Sequence, residues 1–352
     1  MYNGSKLIYL DQCRLSDYGK CMCGYETHKK YKTVSTKISS KTDDGSWIIP
    51  INTTQIIESI QYNETPDKEG SPKKTNNHIL ILLKKSRLQL LDFAHTCRTE
   101  IYCVLNDKPI TTNRFLLPYT TMPVPLSNLE ISIKNKTDNL KKDQEYLDMF
   151  YGFLDTFAWS LIYNNDFDEF SKLFKDMDSN EFDKHFDSLK ESIKKVRESM
   201  ASLFTEVEYL EELKKLYLKC KKEKGKSFAD KIFALEAFLT TCQQINRLLA
   251  RHSKTVEIPD SILSDEDKLY EFSMKNHSFK VYITLILHLY QNERGKIDKN
   301  DLKDILFLSV AVPYCDIIIT EKKWANVICD KKMDVLFGTK VSNDLNLLLN
   351  ED

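Results

Sequence analysis

Scarcity of glycine and proline is the feature that most constrains the fold of this chain. The 352 residues include only 9 glycines and 9 prolines, whereas the two together usually make up about 12% of a protein. Between about 138 and 296 they are almost absent, and apolar residues recur there at the i, i+3, i+4, i+7 spacing of amphipathic helices. The sequence therefore predicts a mostly helical protein and excludes a turn-rich β-sandwich or a collagen-like fibre.

Short apolar runs distinguish the two ends of the chain from this helical centre. The runs are KLIYLD, SWIIPI, which is broken by Pro50, and CDIIIT. The first is typical of a buried strand, and the last is typical of a strand that is buried on both faces. Because helical patterns alternate with these runs, we expect a small parallel sheet that is covered by helices.

The predicted organisation is an α/β core that is interrupted by a large insertion. Residues 1–134 and 297–352 would form the core, and residues 135–296 would form an all-helical lobe. Within the core, the polar and lysine-rich segment 19–45 lacks a clear period, so we expect a loop there.

Charge is balanced over the whole chain but not along it. The 51 basic and 52 acidic residues argue against a protein that coats nucleic acid through bulk positive charge. Residues 1–134 nevertheless contain 18 basic and 13 acidic groups, and five lysines cluster between 219 and 226. A lysine cluster at a predicted helix end can offset the helix dipole, or it can contact nucleic acid.

The cysteines and the apolar segments bear on the cellular compartment. Nine scattered cysteines show no recurring CxxC pair, which is typical of reduced thiols in a cytoplasmic protein. A zinc site on Cys21, Cys23 and His28 is the alternative, although the two cysteines are closer than structural zinc sites prefer. No run approaches the roughly 18 apolar residues of a membrane span, and the N-terminus lacks a signal-peptide core, so we expect no membrane association.

Acidic residues occupy positions from which they could act together. Asp11 and Glu321 each follow an apolar strand, while Glu58 and Asp304 each lie near the start of an amphipathic helix, with Asp301 as the alternative to Asp304. Ligands collect beyond the carboxyl ends of parallel strands. Converging carboxylates repel one another unless a hard cation such as Mg²⁺ or Mn²⁺ neutralises them. The alternative is that these acids cap helices and complement their dipoles.

Three segments resemble the motifs of bacterial PIN-like domains. The closing segment NDLKDILFLSVAVPYCDIIITEKKWANVI resembles the last motif, an N-D-x-x-D helix start followed by P-Y-C-D, an apolar strand, an acid and a helix. KLIYLDQCRLSDYG and SWIIPINTTQIIES resemble the first and second motifs, and the order of all three matches. The resemblance covers roughly residues 5–15, 46–62 and 298–330.

This resemblance implies a three-layer α/β/α core with a small parallel sheet and a metal-dependent nuclease site. The acids that match the family's catalytic and metal-binding positions are Asp11, Glu58, Asp304 or Asp301, and Glu321. The cofactor implied is Mg²⁺ or Mn²⁺.

Four further residues of the last motif have predicted roles, three of them at the site. Lys322 and Lys323 would contact substrate phosphates, and Thr320 would orient a water or a carboxylate, unless it is simply a β-branched strand residue. Asp316 matches the motif as well, but it precedes the strand. We therefore expect it at the opposite end of the sheet, bonded to a backbone amide or a helix start.

The predicted function is hydrolysis of RNA phosphodiester bonds, and the resemblance permits a toxin or phage-defence role. RNA would be the substrate, and a regulatory or antitoxin-like protein would be a partner. Two alternatives remain: a metal-dependent DNA nuclease, and a non-catalytic PIN-like scaffold whose helical lobe binds a protein. The sequence does not indicate an oligomeric state.

Overall fold

The computed structural model describes only part of the chain. The described residues are 4–50, 55, 75, 78–79, 81–83, 88–90, 93–112, 115–118, 207–249, 257–291 and 299–352.

In the described part of the chain, the strands are short and most of the α-helices are longer. The strands are β1 (Lys6–Leu10), β2 (Trp47–Ile48), β3 (Leu88–Leu90), β4 (Leu116–Pro118), β5 (Ile317–Ile319) and β6 (Lys340–Ser342). The α-helices are α1 (Gln12–Met22), α2 (Lys32–Asp43), α3 (Phe93–Leu105), α4 (Val207–Lys224), α5 (Lys226–Leu249), α6 (Asp260–Leu263), α7 (Glu266–Met274), α8 (His277–Gln291), α9 (Lys299–Tyr314), α10 (Lys322–Asp330) and α11 (Met333–Phe337). Two 3₁₀ helices span Glu26–Tyr31 and Leu345–Asn350.

The chain divides into two compact units. The first consists of Met1–Asp11, Leu90–Leu116 and Glu198–Leu347, and the second of Gln12–Gln89, Leu117–Arg197 and Leu348–Asp352. The candidate site residues that the structure describes all lie in the first unit. Glu58 lies outside the described residues.

A parallel sheet lies in the core of the first unit. Strands β1, β5 and β6 follow one another in a four-stranded sheet, and both of these pairs are parallel. All three residues of β5 are buried, as are Leu7 and Leu10 of β1. Because both faces of these strands are covered, the sequence shows unbroken apolar runs there rather than alternation. The prediction of an α/β protein with much helix and a small parallel sheet is confirmed.

Helices supply most of the remaining core of the first unit. Helix α8 packs against α9, and α4 packs against α5. Helix α9 includes Pro313 in its last turn and ends one residue later, at Tyr314. Since proline has no backbone N–H to donate, it cannot bond to the carbonyl four residues earlier, which favours a helix end close to it.

The second unit corrects one prediction. The segment 19–45, expected to be a loop, contains the 3₁₀ helix Glu26–Tyr31 and helix α2. Tyr31, Val34 and Ile38 are buried, and their spacing of three and four residues is helical. The numerous lysines and threonines between them obscured this pattern, because a few buried residues per turn suffice when a helix packs on one side only.

None of the helices in the described part of the chain is long and apolar enough to cross a membrane.

Candidate active site

The pairing of β1 with β5 brings two of the predicted acids to one edge of the sheet. Leu10 is the register partner of Ile319, and the backbone N–H of Asp11 donates a hydrogen bond to the carbonyl of Ile319 at 3.1 Å. Both strands run in the same direction, so their carboxyl ends lie together. Asp11 and Glu321 therefore follow neighbouring strands at the same edge.

Asp304 belongs to the same group of charges, although it comes from helix α9. Oδ2 of Asp304 accepts a hydrogen bond from Nε1 of Trp324 at 3.1 Å. Trp324 is fully buried in α10, the helix that follows Glu321. The indole therefore ties α9 to the helix that begins at the carboxyl edge of the sheet.

The electrostatic environment of Asp304 is unusual for an aspartate. Its pKa is raised from 3.8 to about 7, first by burial and then by the negative charges of Asp11, Glu321 and Asp301, in that order, while the Trp324 hydrogen bond acts in the opposite direction. Like charges disfavour the ionised form of a carboxyl group only when they are close to it. The charges of Asp11, Glu321 and Asp301 therefore lie close enough to Asp304 to disfavour its ionised form, in addition to the larger effect of burial.

Asp301, the alternative to Asp304, has a different partner. Nζ of Lys323 donates to Oδ1 of Asp301 at 2.5 Å, and the same ammonium group lies 4.5 Å from the ring centroid of Trp324. Asp301 is therefore partly neutralised by a lysine, whereas Asp304 is held by a neutral donor. Lys323, expected to contact a substrate phosphate, here holds an acid of the candidate site.

The residues around the end of β5 take three different positions. Thr320 is buried, with 1% of its surface exposed, and its amide donates to the carbonyl of Ser342 at 3.0 Å, so it continues the ladder towards β6. Glu321 is exposed and occupies the N-cap position of α10, but its side chain accepts no capping hydrogen bond. Lys322, the first residue of α10, is also exposed.

Asp316 lies at the opposite end of the sheet, as expected. Its Oδ2 accepts a hydrogen bond from the amide of Leu7 at 2.7 Å, and its own amide donates to the carbonyl of Leu7 at 2.9 Å. These bonds join the start of β5 to the start of β1. Asp316 is consequently a structural residue of the sheet and lies apart from the other acids.

We call Asp11, Asp301, Asp304 and Glu321 the acidic group. Their carboxylate oxygens suit a hard cation, but the side chains are not gathered around one point. Among the residues that the structure describes, no group of three or more His, Cys, Asp or Glu side chains is close enough to hold a metal ion. Cys21, Cys23 and His28, the alternative zinc ligands, are likewise not grouped for metal binding. The ring of His28 instead contacts the carboxylate of Asp17 at 3.4 Å and the hydroxyl of Thr27 at 2.8 Å.

Two functional candidates were missed by the sequence analysis. Trp324 is one of them, since nothing in the sequence marks a buried indole as a hydrogen-bond donor to a particular acid. Glu100 is 0% exposed in α3, and its carboxylate accepts hydrogen bonds from the amide and hydroxyl of Ser278 and from the hydroxyl of Tyr314. Its signal was an acid among the apolar positions of an amphipathic helix.

No family model, curated protein or solved structure matches the chain.

Proposed function

We propose that the protein is a metal-dependent ribonuclease whose active site is the acidic group at the carboxyl edge of β1 and β5. The observation that carries the proposal is the placement of Asp11 and Glu321 after neighbouring strands at one edge of the sheet. Asp304 is held beside them by Trp324, and burial and their charges raise its pKa to about 7. A strongly perturbed carboxyl group among other acids is characteristic of functional sites, because a purely structural arrangement gains nothing from the repulsion.

In this proposal Asp11, Asp304 and Glu321 would supply the oxygen donors for Mg²⁺ or Mn²⁺. Because these side chains are not gathered around one point in this structure, cation binding would have to draw them together. Oxygen donors of this kind are the ones that these ions prefer. When bound, the cation would supply Lewis-acid activation of the water that attacks a phosphodiester.

The chain's own residues would have distinct roles at this edge of the sheet. Trp324 fixes one carboxylate oxygen of Asp304 and leaves the other available. Lys323 neutralises Asp301, which reduces the repulsion that Asp304 experiences. A carboxyl group with a pKa of about 7 exchanges its proton near neutral pH, so cation binding and proton release at Asp304 would be linked.

Cleavage of mixed-sequence RNA in Mn²⁺ tests the proposal. We expect the wild type to cut RNA, and both Asp11→Asn and Asp304→Asn to reduce the rate by a factor of at least about 100. Asp330→Asn is the matched control, because Asp330 is an exposed aspartate of α10 outside the acidic group. Equal cleavage by the wild type and the two site variants would overturn the proposal.

The same assay separates the alternatives. Cleavage of single- or double-stranded DNA in place of RNA would assign a DNA nuclease. Absence of cleavage with all substrates and both metals, in protein that unfolds cooperatively, would favour the non-catalytic scaffold.

A further inference from the structure

Helix α4 carries a concentration of lysines that the candidate active site does not use. Residues 214–226 contain seven lysines and a single acid, Glu223. The whole chain has a formal net charge of −1, so this segment is a local exception to an otherwise balanced charge distribution.

Three of these lysines share one exposed face of the helix. Lys215, Lys219 and Lys222 are all exposed, and at about 100° per residue they lie within an arc of about 60°. With a rise of about 1.5 Å per residue, they span about 10 Å along the axis. We call these three residues the lysine stripe. No ion pair to any of them occurs within the described residues.

The opposite face of α4 is occupied by the protein itself. Leu210, Leu213 and Tyr217 are buried there. The hydroxyl of Tyr217 donates to Oδ1 of Asp230 in α5 at 3.0 Å, and the hydroxyl of Tyr290 in α8 donates to the carbonyl of Leu210 at 2.7 Å. These contacts fix the rotation of the helix, so the lysine stripe is held outward and its direction does not depend on a partner.

The end of the helix extends the positive charge. Lys224 follows the lysine stripe and lies 4.5 Å from the ring centroid of Phe228, and Lys226 begins α5 after Gly225, whose φ of +89° breaks the helix. Both lysines are exposed. A helix dipole needs only one or two cations in its last turn, and the lysine stripe begins well before that turn.

We propose that the lysine stripe binds the phosphate backbone of single-stranded RNA. A strand presents about one phosphate per 3.4 Å in a stacked helical form, so about 10 Å of helix faces about three phosphates. The exposed face carries no aromatic side chain for base stacking in this stretch, so binding is independent of base sequence. An anionic membrane fits less well, because the apolar face that would enter the lipid is already buried.

The choice of RNA as the polyanion rests on the proposed function, and the lysine stripe would then bind the substrate of the ribonuclease.

The test measures binding of RNA under conditions that prevent cleavage. Fluorescence anisotropy of a labelled single-stranded RNA of about 20 nucleotides is followed in EDTA at several salt concentrations, with the full chain.

We expect the triple variant Lys215→Gln, Lys219→Gln, Lys222→Gln to bind at least about tenfold more weakly at low salt than the wild type. The slope of log affinity against log salt should become shallower by about 2, since each lost phosphate contact removes about 0.7 for a single strand. The corresponding arginine triple variant should bind as the wild type does.

The control is a second triple variant with the same charge change, Lys268→Gln, Lys275→Gln, Lys331→Gln, at exposed lysines of the same unit. The proposal is overturned if the two glutamine variants weaken binding equally, if the salt slope does not change, or if polyaspartate displaces RNA at equal charge concentration. Binding through the lysine stripe without any cleavage would leave this proposal standing and refute the ribonuclease. If the wild type cleaves RNA but the glutamine variant of the lysine stripe binds RNA as the wild type does, the lysine-stripe proposal is refuted and the ribonuclease proposal stands.

Discussion

The indole N–H of Trp324 donates a hydrogen bond to Oδ2 of Asp304 at 3.1 Å, and this bond joins the helix before β5 to the helix after it. Asp304 is the acid on which burial and three neighbouring charges act. A neutral donor favours the ionised form of a carboxyl group without adding a charge. Trp324 therefore limits how far the surrounding acids can raise the pKa of Asp304.

Removal of this donor should raise the pKa of Asp304 above its value of about 7. In Trp324→Phe the aromatic packing is largely kept, but the ionised carboxylate loses its hydrogen bond. The measurement is a pH titration of the aspartate carboxyl carbons by NMR. Trp47→Phe is the control, because the indole of Trp47 donates to the carbonyl of Asp352 instead. A pKa that stays constant or falls in Trp324→Phe would contradict the assigned role.

Asp304 should make the protein less stable as the pH rises from about 4 to about 7. The folded chain binds a proton at Asp304 up to a pKa of about 7, whereas the unfolded chain releases it near 3.8. The stabilisation is thus complete below the unfolded pKa and is lost as the pH passes through the folded pKa.

The variant Asp304→Asn tests this linkage. Its advantage over the wild type in the free energy of unfolding should be larger at pH 8 than at pH 5, by on the order of 2 kcal/mol. Urea denaturation at both pH values gives the difference. Glu100, whose pKa is also raised to about 7, titrates in both proteins and cancels. An equal loss of stability at both pH values would show that Asp304 has an ordinary structural role.

Glu100 should be among the most costly residues to truncate in the first unit. Its carboxylate accepts three hydrogen bonds from Ser278 and Tyr314, and it is fully buried. Glu100→Ala leaves these donors without an acceptor, so we expect a loss of about 3–5 kcal/mol in the free energy of unfolding. Tyr314→Phe removes one donor and should cost about 1–2 kcal/mol. A double-mutant cycle by urea denaturation measures their coupling, and additive losses would contradict a shared network.

Asp316 should affect stability but not chemistry. In Asp316→Ala the amide of Leu7 loses the side-chain acceptor that lies 2.7 Å away, which should cost about 1–3 kcal/mol. Since Asp316 lies at the amino end of β5, cleavage of RNA per folded molecule should match the wild type. Urea denaturation and the nuclease assay, run below the unfolding transition, check both parts. A loss of cleavage as large as that of Asp304→Asn would place Asp316 in the site.

Strands β1 and β5 were predictable because each lies in a short apolar run, whereas β3, β4 and β6 were not predicted. β1 and β5 fall within KLIYLD and CDIIIT, and the parallel sheet follows from their being buried on both faces. The two helices of 26–43 were not predicted, because only Tyr31, Val34 and Ile38 carry the pattern and the polar residues between them mask it.

The sequence by itself determined which acids follow strands and which begin helices, since those positions depend on local patterns of apolar residues. Only the tertiary structure decided how the acids differ. The pairing of β1 with β5 puts Asp11 and Glu321 at one edge of the sheet. The buried indole of Trp324 donates a hydrogen bond to Asp304, and Lys323 forms an ion pair with Asp301. The protonation of a carboxyl group depends on burial and on charges within a few ångströms, and only folding brings Asp11 close to Asp304, from which it is far apart in the sequence.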